Sequence, residues 1–116
     1  MELWVIISGE KKKFQGSFKS VMEDLYLQSE GKEVKLLSIH APKKELRRFK
    51  RELVRNNKNL ILTAKKIARW FYIKDLRKVS RCIKDIKGKT DSVSLQKFEK
   101  AQEILKQIES KIEALN

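Results

Sequence analysis

The sequence predicts an α+β fold that is mostly helical: a small N-terminal β-α-β unit, a basic helical middle and a long C-terminal amphipathic helix. Two short apolar runs, residues 3–7 and 34–39, have the length and composition of buried strands. After Pro42 the apolar residues recur at helical spacing instead. The 116 residues, 41% of them hydrophobic, are enough for the core of one compact domain.

The pattern of the N-terminal residues predicts the β-α-β unit. The first strand is followed by a polar stretch, residues 10–17, which is predicted to be a loop. Ser17 is placed to cap a helix over residues 17–28, because the apolar residues after it are spaced three and four apart. Because a helix connects the two strands, they are candidates for a parallel pair.

Only helices are expected after residue 43, separated by polar breaks at residues 56–59 and 87–92. The predicted helices cover residues 44–55, 60–72, 75–86 and 94–115. The last of them carries a heptad seam formed by Phe98, Ala101, Leu105, Ile108, Ile112 and Leu115. This seam could pack on its own chain or pair with a second copy. Its regularity favours pairing, so a homodimer through residues 94–115 is expected.

The positive charge is concentrated in the middle of the chain. Residues 1–42, the α/β unit, have six basic and six acidic residues, and residues 90–116, the heptad helix, have a net charge of −1. Residues 43–89 have eighteen basic and four acidic residues, so their net charge of +14 exceeds the +13 of the whole chain. Such a concentration creates a potential that can hold a polyanion, and nucleic acid is the commonest one. This segment is therefore the predicted nucleic-acid-binding region.

Other features exclude several classes of protein. One cysteine and one histidine, Cys82 and His40, cannot form a Cys/His zinc site or an internal disulfide, and no cofactor is expected. Cys82 flanks an apolar stripe and is predicted to be buried. The start of the chain lacks a secretory pattern, and no apolar stretch is long enough to span a membrane. A cytoplasmic protein, or a nuclear one in a eukaryote, is expected, with no membrane partner.

Residues 62–86 carry a series of residues in a particular order: Ile67-Ala68, Ile73, Val79-Ser80-Arg81, Ile83 and Ile86. This order resembles the helix-turn-helix of bacterial and archaeal transcription regulators, including winged-helix proteins. The resemblance covers about 25 residues, and Tyr72 stands where the family has its turn glycine. It implies that residues 75–86 form a recognition helix for the DNA major groove, while Lys65, Lys66 and Arg69 contact the DNA backbone.

The residues support nucleic-acid binding without the resemblance. One side of the helix over residues 75–86 is apolar and the other is rich in lysine and arginine, as suits a helix in a major groove. A similar division of faces is expected for residues 44–55. The predicted nucleic-acid-binding residues are Arg47, Arg48, Lys50, Arg51, Lys65, Lys66, Arg69, Lys74, Arg77, Lys78, Arg81 and Lys84. DNA binding, with a role in transcriptional regulation, is the favoured function.

Three alternatives remain open. An RNA-binding protein could use the basic helix over residues 44–55 and stack bases on Trp70, Phe71 and Tyr72, although these aromatic residues fit a partly buried position better. A small basic ribonuclease could use Tyr72, Arg69, His40 or Lys74, but no constellation singles them out, so a non-enzymatic protein is favoured. A module that bridges an acidic protein partner is the third alternative.

Overall fold

The computed structural model describes residues 1–87 and 92–115, the side chains of residues 86–87 and 92–95 excepted. The elements in chain order are β1 (Glu2–Ile7), β2 (Glu10–Gln15), α1 (Phe18–Ser29), β3 (Val34–His40), α2 (Lys43–Arg55), α3 (Leu60–Lys87) and α4 (Ser92–Ala114). The predicted α+β class with mostly helical content is confirmed. The chain divides into two compact units, Met1–Ala68 and Arg69–Asn116, with the boundary inside α3.

The three strands form one antiparallel sheet with the order β2-β1-β3. Ser8 and Gly9 connect β1 to β2 as a two-residue turn, and their φ angles of 49° and 83° suit the right-handed twist of a hairpin. Two expectations are therefore wrong: residues 10–15 are a strand and not a loop, and β1 and β3 are not parallel. The strand was missed because β2 is an edge strand rich in lysine, in which Phe14 alone is buried.

The core of the first unit lies between one face of this sheet and the helices. Alternate residues of β1, which are Leu3, Val5 and Ile7, are buried, as a period of two requires. Helix α1 packs against β1 and β2 on this face. Helices α1, α2 and the start of α3 all contribute buried apolar side chains to this core. They are Phe18, Val21, Met22, Leu25, Tyr26, Phe49, Leu60, Ala64, Ile67 and Ala68.

Helix α1 begins with the cap that the sequence predicts. The Ser17 hydroxyl accepts a hydrogen bond from the Ser20 backbone N–H at 3.2 Å. We expect Ser17→Ala to lower the free energy of unfolding by about 1 kcal/mol, because one N–H at the helix start loses its acceptor. Urea unfolding followed by circular dichroism measures this change. Ser20→Ala keeps the donating backbone N–H and serves as the control; equal stability of the two variants would contradict the capping role.

The break between α2 and α3 falls where the sequence places it. Asn56 is buried, and its side-chain amide donates to the Glu52 carbonyl at 2.7 Å. Asn57 and Lys58 have positive φ angles of 54° and 61°, which end the helical path of α2. The Asn59 side chain then accepts a hydrogen bond from the Leu62 N–H at 3.1 Å and caps α3.

Helix α3 corrects the prediction of two helices over residues 60–72 and 75–86. It runs without a break from Leu60 to Lys87, so there is no turn near Tyr72. The segment contains neither glycine nor proline, so nothing in it interrupts the helical hydrogen bonds. The apolar run Trp70-Phe71-Tyr72-Ile73 disturbs the periodicity of the pattern without ending the helix.

Helix α4 includes most of the predicted C-terminal helix, residues 94–115. Its seam is covered within the single chain: Ile108 and Leu115 are buried, and Phe98, Ala101, Leu105 and Ile112 are half-buried. The seam therefore already has neighbours in its own chain, and the pairing of two copies through this helix stays a prediction. Residues 88–91 of the predicted linker lie outside the described residues. Among the described residues, no helix is both long and apolar enough to cross a membrane.

Candidate functional site

Helix α2 of the first unit has one buried face and one cationic face. Phe49 is buried, and Leu46 and Leu53 beside it are half-buried. On the other side of the helix, cations line a cleft of about 620 Å³, which we call the α2 cleft. The described residues that line it are Lys43, Lys44, Arg47, Arg48 and Arg51. No carboxylate stands among these five residues.

The helical repeat gathers these cations. Lys43, Arg47 and Arg51 are four residues apart, as are Lys44 and Arg48, so all five lie on neighbouring rows of the same face. Like charges at this spacing repel each other and destabilise a helix by a few tenths of a kcal/mol per pair, as an order of magnitude. The cationic face therefore costs α2 some stability, and the buried apolar face holds the helix in place.

The acidic residues that the structure describes neutralise little of the charge of Lys43, Lys44 and Arg47. Glu52, on the same helix, pairs with Arg55 at 3.2 Å, outside the α2 cleft. In the part of the chain that the structure describes, Lys43, Lys44 and Arg47 form no ion pair with a carboxylate. Their side chains are exposed to water. The α2 cleft is consequently a concentrated region of positive potential.

The second unit carries another line of cations on α3, which we call the α3 row: Lys74, Arg77, Arg81 and Lys84. They recur at intervals of three and four residues and are all exposed. Arg77, Arg81 and Lys84 also line a smaller cleft of about 220 Å³. Trp70 lies one turn before Lys74 and is 37% exposed, and the Lys74 Nζ is 5.1 Å from the Trp70 ring centroid. An aromatic ring thus adjoins the row.

The structure brings some of the twelve predicted residues together and separates others. Arg47, Arg48 and Arg51 share the α2 cleft, and Arg77, Arg81 and Lys84 share the smaller cleft of the α3 row. Five more are exposed or half-buried outside those two clefts: Lys50, Lys65, Lys66, Lys74 and Lys78. Arg69 is half-buried, and within the described residues its Nε is buried without a hydrogen-bond partner.

Two members of the α2 cleft, Lys43 and Lys44, were not among the predicted site residues. Each stands four residues before a predicted arginine, and the helical repeat places both on the same basic face as Arg47 and Arg48, so they belonged in the predicted site. Lys50 was predicted but lies elsewhere, beside an apolar groove of about 610 Å³ between β3, α2 and the start of α3. Val54, in the same groove, is 69% exposed.

Sequence reasoning also missed an aromatic ring among cations on the sheet. Trp4 of β1 is half-buried, and the Nζ atoms of Lys11 and Lys13 on β2 are 4.8 Å and 5.4 Å from its ring centroid. The Trp4 indole N–H donates to Glu2 Oε1 at 2.9 Å, and Lys13 Nζ lies 3.7 Å from the same oxygen. The Trp4 hydrogen bond, with a smaller contribution from Lys13, lowers the pKa of the Glu2 carboxyl below its usual value. The three consecutive lysines of β2, Lys11 to Lys13, show no alternation of apolar and polar residues, so no strand signal marks this cluster in the sequence.

The ribonuclease suspects are divided between the two units. His40 ends β3 in the first unit and is exposed, while Arg69, Tyr72 and Lys74 belong to the second, where Tyr72 is buried. Among the described residues, no group of three or more histidine, cysteine, aspartate or glutamate side chains could hold a metal ion. Cys82 is exposed, so its predicted burial is wrong.

Fold and surface together define a small α+β protein with a cationic helix face in each of its two units. The chain is similar to an uncharacterized protein of Aquifex aeolicus (strain VF5), with 46% identity over an alignment of 125 residues. The alignment covers 99% of this chain and 98% of the relative. The chain therefore belongs to the same family as that Aquifex protein. No family model and no solved structure matches it.

Proposed function

We propose that this protein binds nucleic acid by its phosphate backbone, with the α2 cleft as the main contact surface. The observation that carries the proposal is the gathering of five cations, with no carboxylate among them, in one cleft of the first unit. Each phosphate that such a cation neutralises releases counterions, and this release drives binding without any reading of sequence.

A polyanion fits this surface better than a small anion does. From Lys43 to Arg51 the cations extend along the helix by about 12 Å, at 1.5 Å per residue. The α3 row, from Lys74 to Lys84, extends by about 15 Å in the same way. A small anion would use a few of these charges at one point, whereas a chain of phosphates can use a whole line of them.

The proposal does not depend on a helix-turn-helix. Since α3 is continuous through Tyr72, the turn that presents a recognition helix is missing. The α3 row remains a second cationic surface on the second unit, and its arginines can form forked contacts to phosphate. We therefore propose binding dominated by backbone contacts, with weak sequence preference, to DNA or RNA. Transcriptional regulation is a narrower form of this proposal.

A salt series tests the proposal directly. We expect a labelled duplex of about 20 base pairs to bind with an affinity that falls linearly on a log–log plot against salt concentration. If all five cations of the α2 cleft contact phosphates, the slope is about −4 to −5. Fluorescence anisotropy measures the affinity at each salt concentration. Polyglutamate of matched charge is the control competitor. If neither the duplex nor a single strand of the same length bound, or if the affinity were indifferent to salt, phosphate contacts would be contradicted.

A further inference from the structure

The first unit has a second surface that joins cations to an aromatic ring, which we call the outer sheet face: Trp4 and Ile6 on β1, Lys11 and Lys13 on β2, and Lys35 on β3. The register places Trp4 opposite Lys13, and Ile6 opposite Lys11 on one side and Lys35 on the other. The three lysines are exposed and the two apolar side chains are half-buried. The opposite face of β1 is buried in the core. The outer sheet face is thus open to solvent.

We infer that the outer sheet face binds an unpaired stretch of nucleic acid, with one base stacked on Trp4 and the lysines holding adjacent phosphates. This inference rests on the proposed function and specifies its substrate class as single-stranded. Trp4 lies on the middle strand, and its indole N–H is anchored to Glu2 at 2.9 Å. The anchor fixes one edge of the ring, so a base finds a preorganised platform.

The lysines over the ring are compatible with this use. Lys11 and Lys13 now lie 4.8 Å and 5.4 Å from the ring centroid. A lysine ammonium on a flexible stem can leave the ring and follow a phosphate, since both contacts are electrostatic. A base that stacks on an aromatic ring gains more binding free energy than the loss of an exposed cation–π contact costs. Binding thus exchanges two weak contacts for a stacked base and phosphate contacts.

The chemistry of the face selects among ligands. A cationic ligand is repelled by Lys11, Lys13 and Lys35, and a neutral sugar uses none of their charge. Bases inside a duplex are already stacked on one another and cannot offer a flat side to Trp4 without unpairing. An unpaired strand supplies both the flat base and the phosphates, and it does so with any sequence.

Intrinsic fluorescence tests the inference, because the chain has only two tryptophans, Trp4 and Trp70. In a Trp70→Phe background, all tryptophan emission comes from Trp4. We expect a 15-nucleotide oligothymidylate to quench this emission, because a stacked base removes the ring from solvent, whereas a 15-base-pair duplex leaves it nearly unchanged. Anisotropy with the otherwise unchanged chain should show that Trp4→Leu weakens oligothymidylate binding about tenfold, the cost of one lost stack. Trp4→Phe should restore most of this affinity.

Each outcome has a distinct meaning. If oligothymidylate binds but neither quenches Trp4 nor weakens in Trp4→Leu, the inference is overturned while the proposed function stands. If neither oligothymidylate nor duplex binds, the proposed function fails and the inference with it. Duplex affinity that is unchanged in Trp4→Leu shows that the variant has kept its fold. Should Trp4→Leu unfold, the quenching in the Trp70→Phe background and the affinity of Trp4→Phe decide the question.

Discussion

Replacing Lys44, Arg47 and Arg51 together with glutamine is expected to weaken nucleic-acid binding about a hundredfold near 0.15 M salt. These residues line the α2 cleft, and their loss removes the release of counterions from three phosphates. The slope of the salt dependence should become shallower by about 3 for a duplex, since each contact contributes about 0.9. Anisotropy titrations at several salt concentrations measure both quantities.

The control for this variant removes the same charge from elsewhere. Lys32, Lys100 and Lys106 are exposed and lie outside the α2 cleft and the α3 row, so changing them to glutamine lowers the net charge equally. We expect this control to bind with an affinity within a few-fold of the unchanged protein. Equal weakening in the two triple variants would show that net charge alone drives binding, and the α2 cleft would lose its special role.

Phe49→Ala is expected to lower the free energy of unfolding by about 3–5 kcal/mol. Phe49 is 1% exposed and is the buried side chain of α2, so its loss leaves a cavity beneath the cationic face. Because the like charges on α2 repel one another, this helix depends on its apolar contact with the unit more than most helices do. Urea unfolding, with circular dichroism as the signal, measures the loss.

Val54→Ala provides the comparison on the same helix. Val54 is 69% exposed, so its truncation should change stability by less than about 0.5 kcal/mol. Phe49→Leu, which keeps an apolar side chain in the core, should lose less stability than Phe49→Ala. We also expect Phe49→Ala to weaken nucleic-acid binding, because the cations then lose their fixed arrangement. Similar stability of Phe49→Ala and Val54→Ala would refute the anchoring role of Phe49.

Helix α2 shows what the sequence could predict. Its apolar residues and its cations follow the helical repeat so regularly that the predicted range, residues 44–55, differs from the observed Lys43–Arg55 by one residue. The gathering of Arg47, Arg48 and Arg51 on one face follows from the same repeat. In α2 the local sequence pattern and the tertiary packing agree, so the sequence alone predicts both the helix and its cationic face.

The predictions that the structure contradicts have physical causes as well. An edge strand buries little, so β2, with its three consecutive lysines, lacks the alternation of apolar and polar residues that predicts a strand, and a loop was predicted instead. Because β2 was not predicted, Lys11 and Lys13 could not be placed beside Trp4. The outer sheet face was therefore not predicted either. In α3 a break after Tyr72 was predicted from the apolar spacing, which the run Trp70 to Ile73 disturbs, and the resemblance agreed with it; a segment without glycine or proline nevertheless continues as a helix.

The exposure of Cys82 has a practical consequence for measurements on this protein. It is the only thiol in the chain, and an accessible thiol in air can join two copies through a disulfide. Such a pair has twice the net charge of +13, and two linked sites raise apparent affinity by avidity without any new contact. Oxidation would thus imitate a native dimer with tighter nucleic-acid binding, whereas a reducing buffer, or Cys82→Ser, reports the properties of one chain.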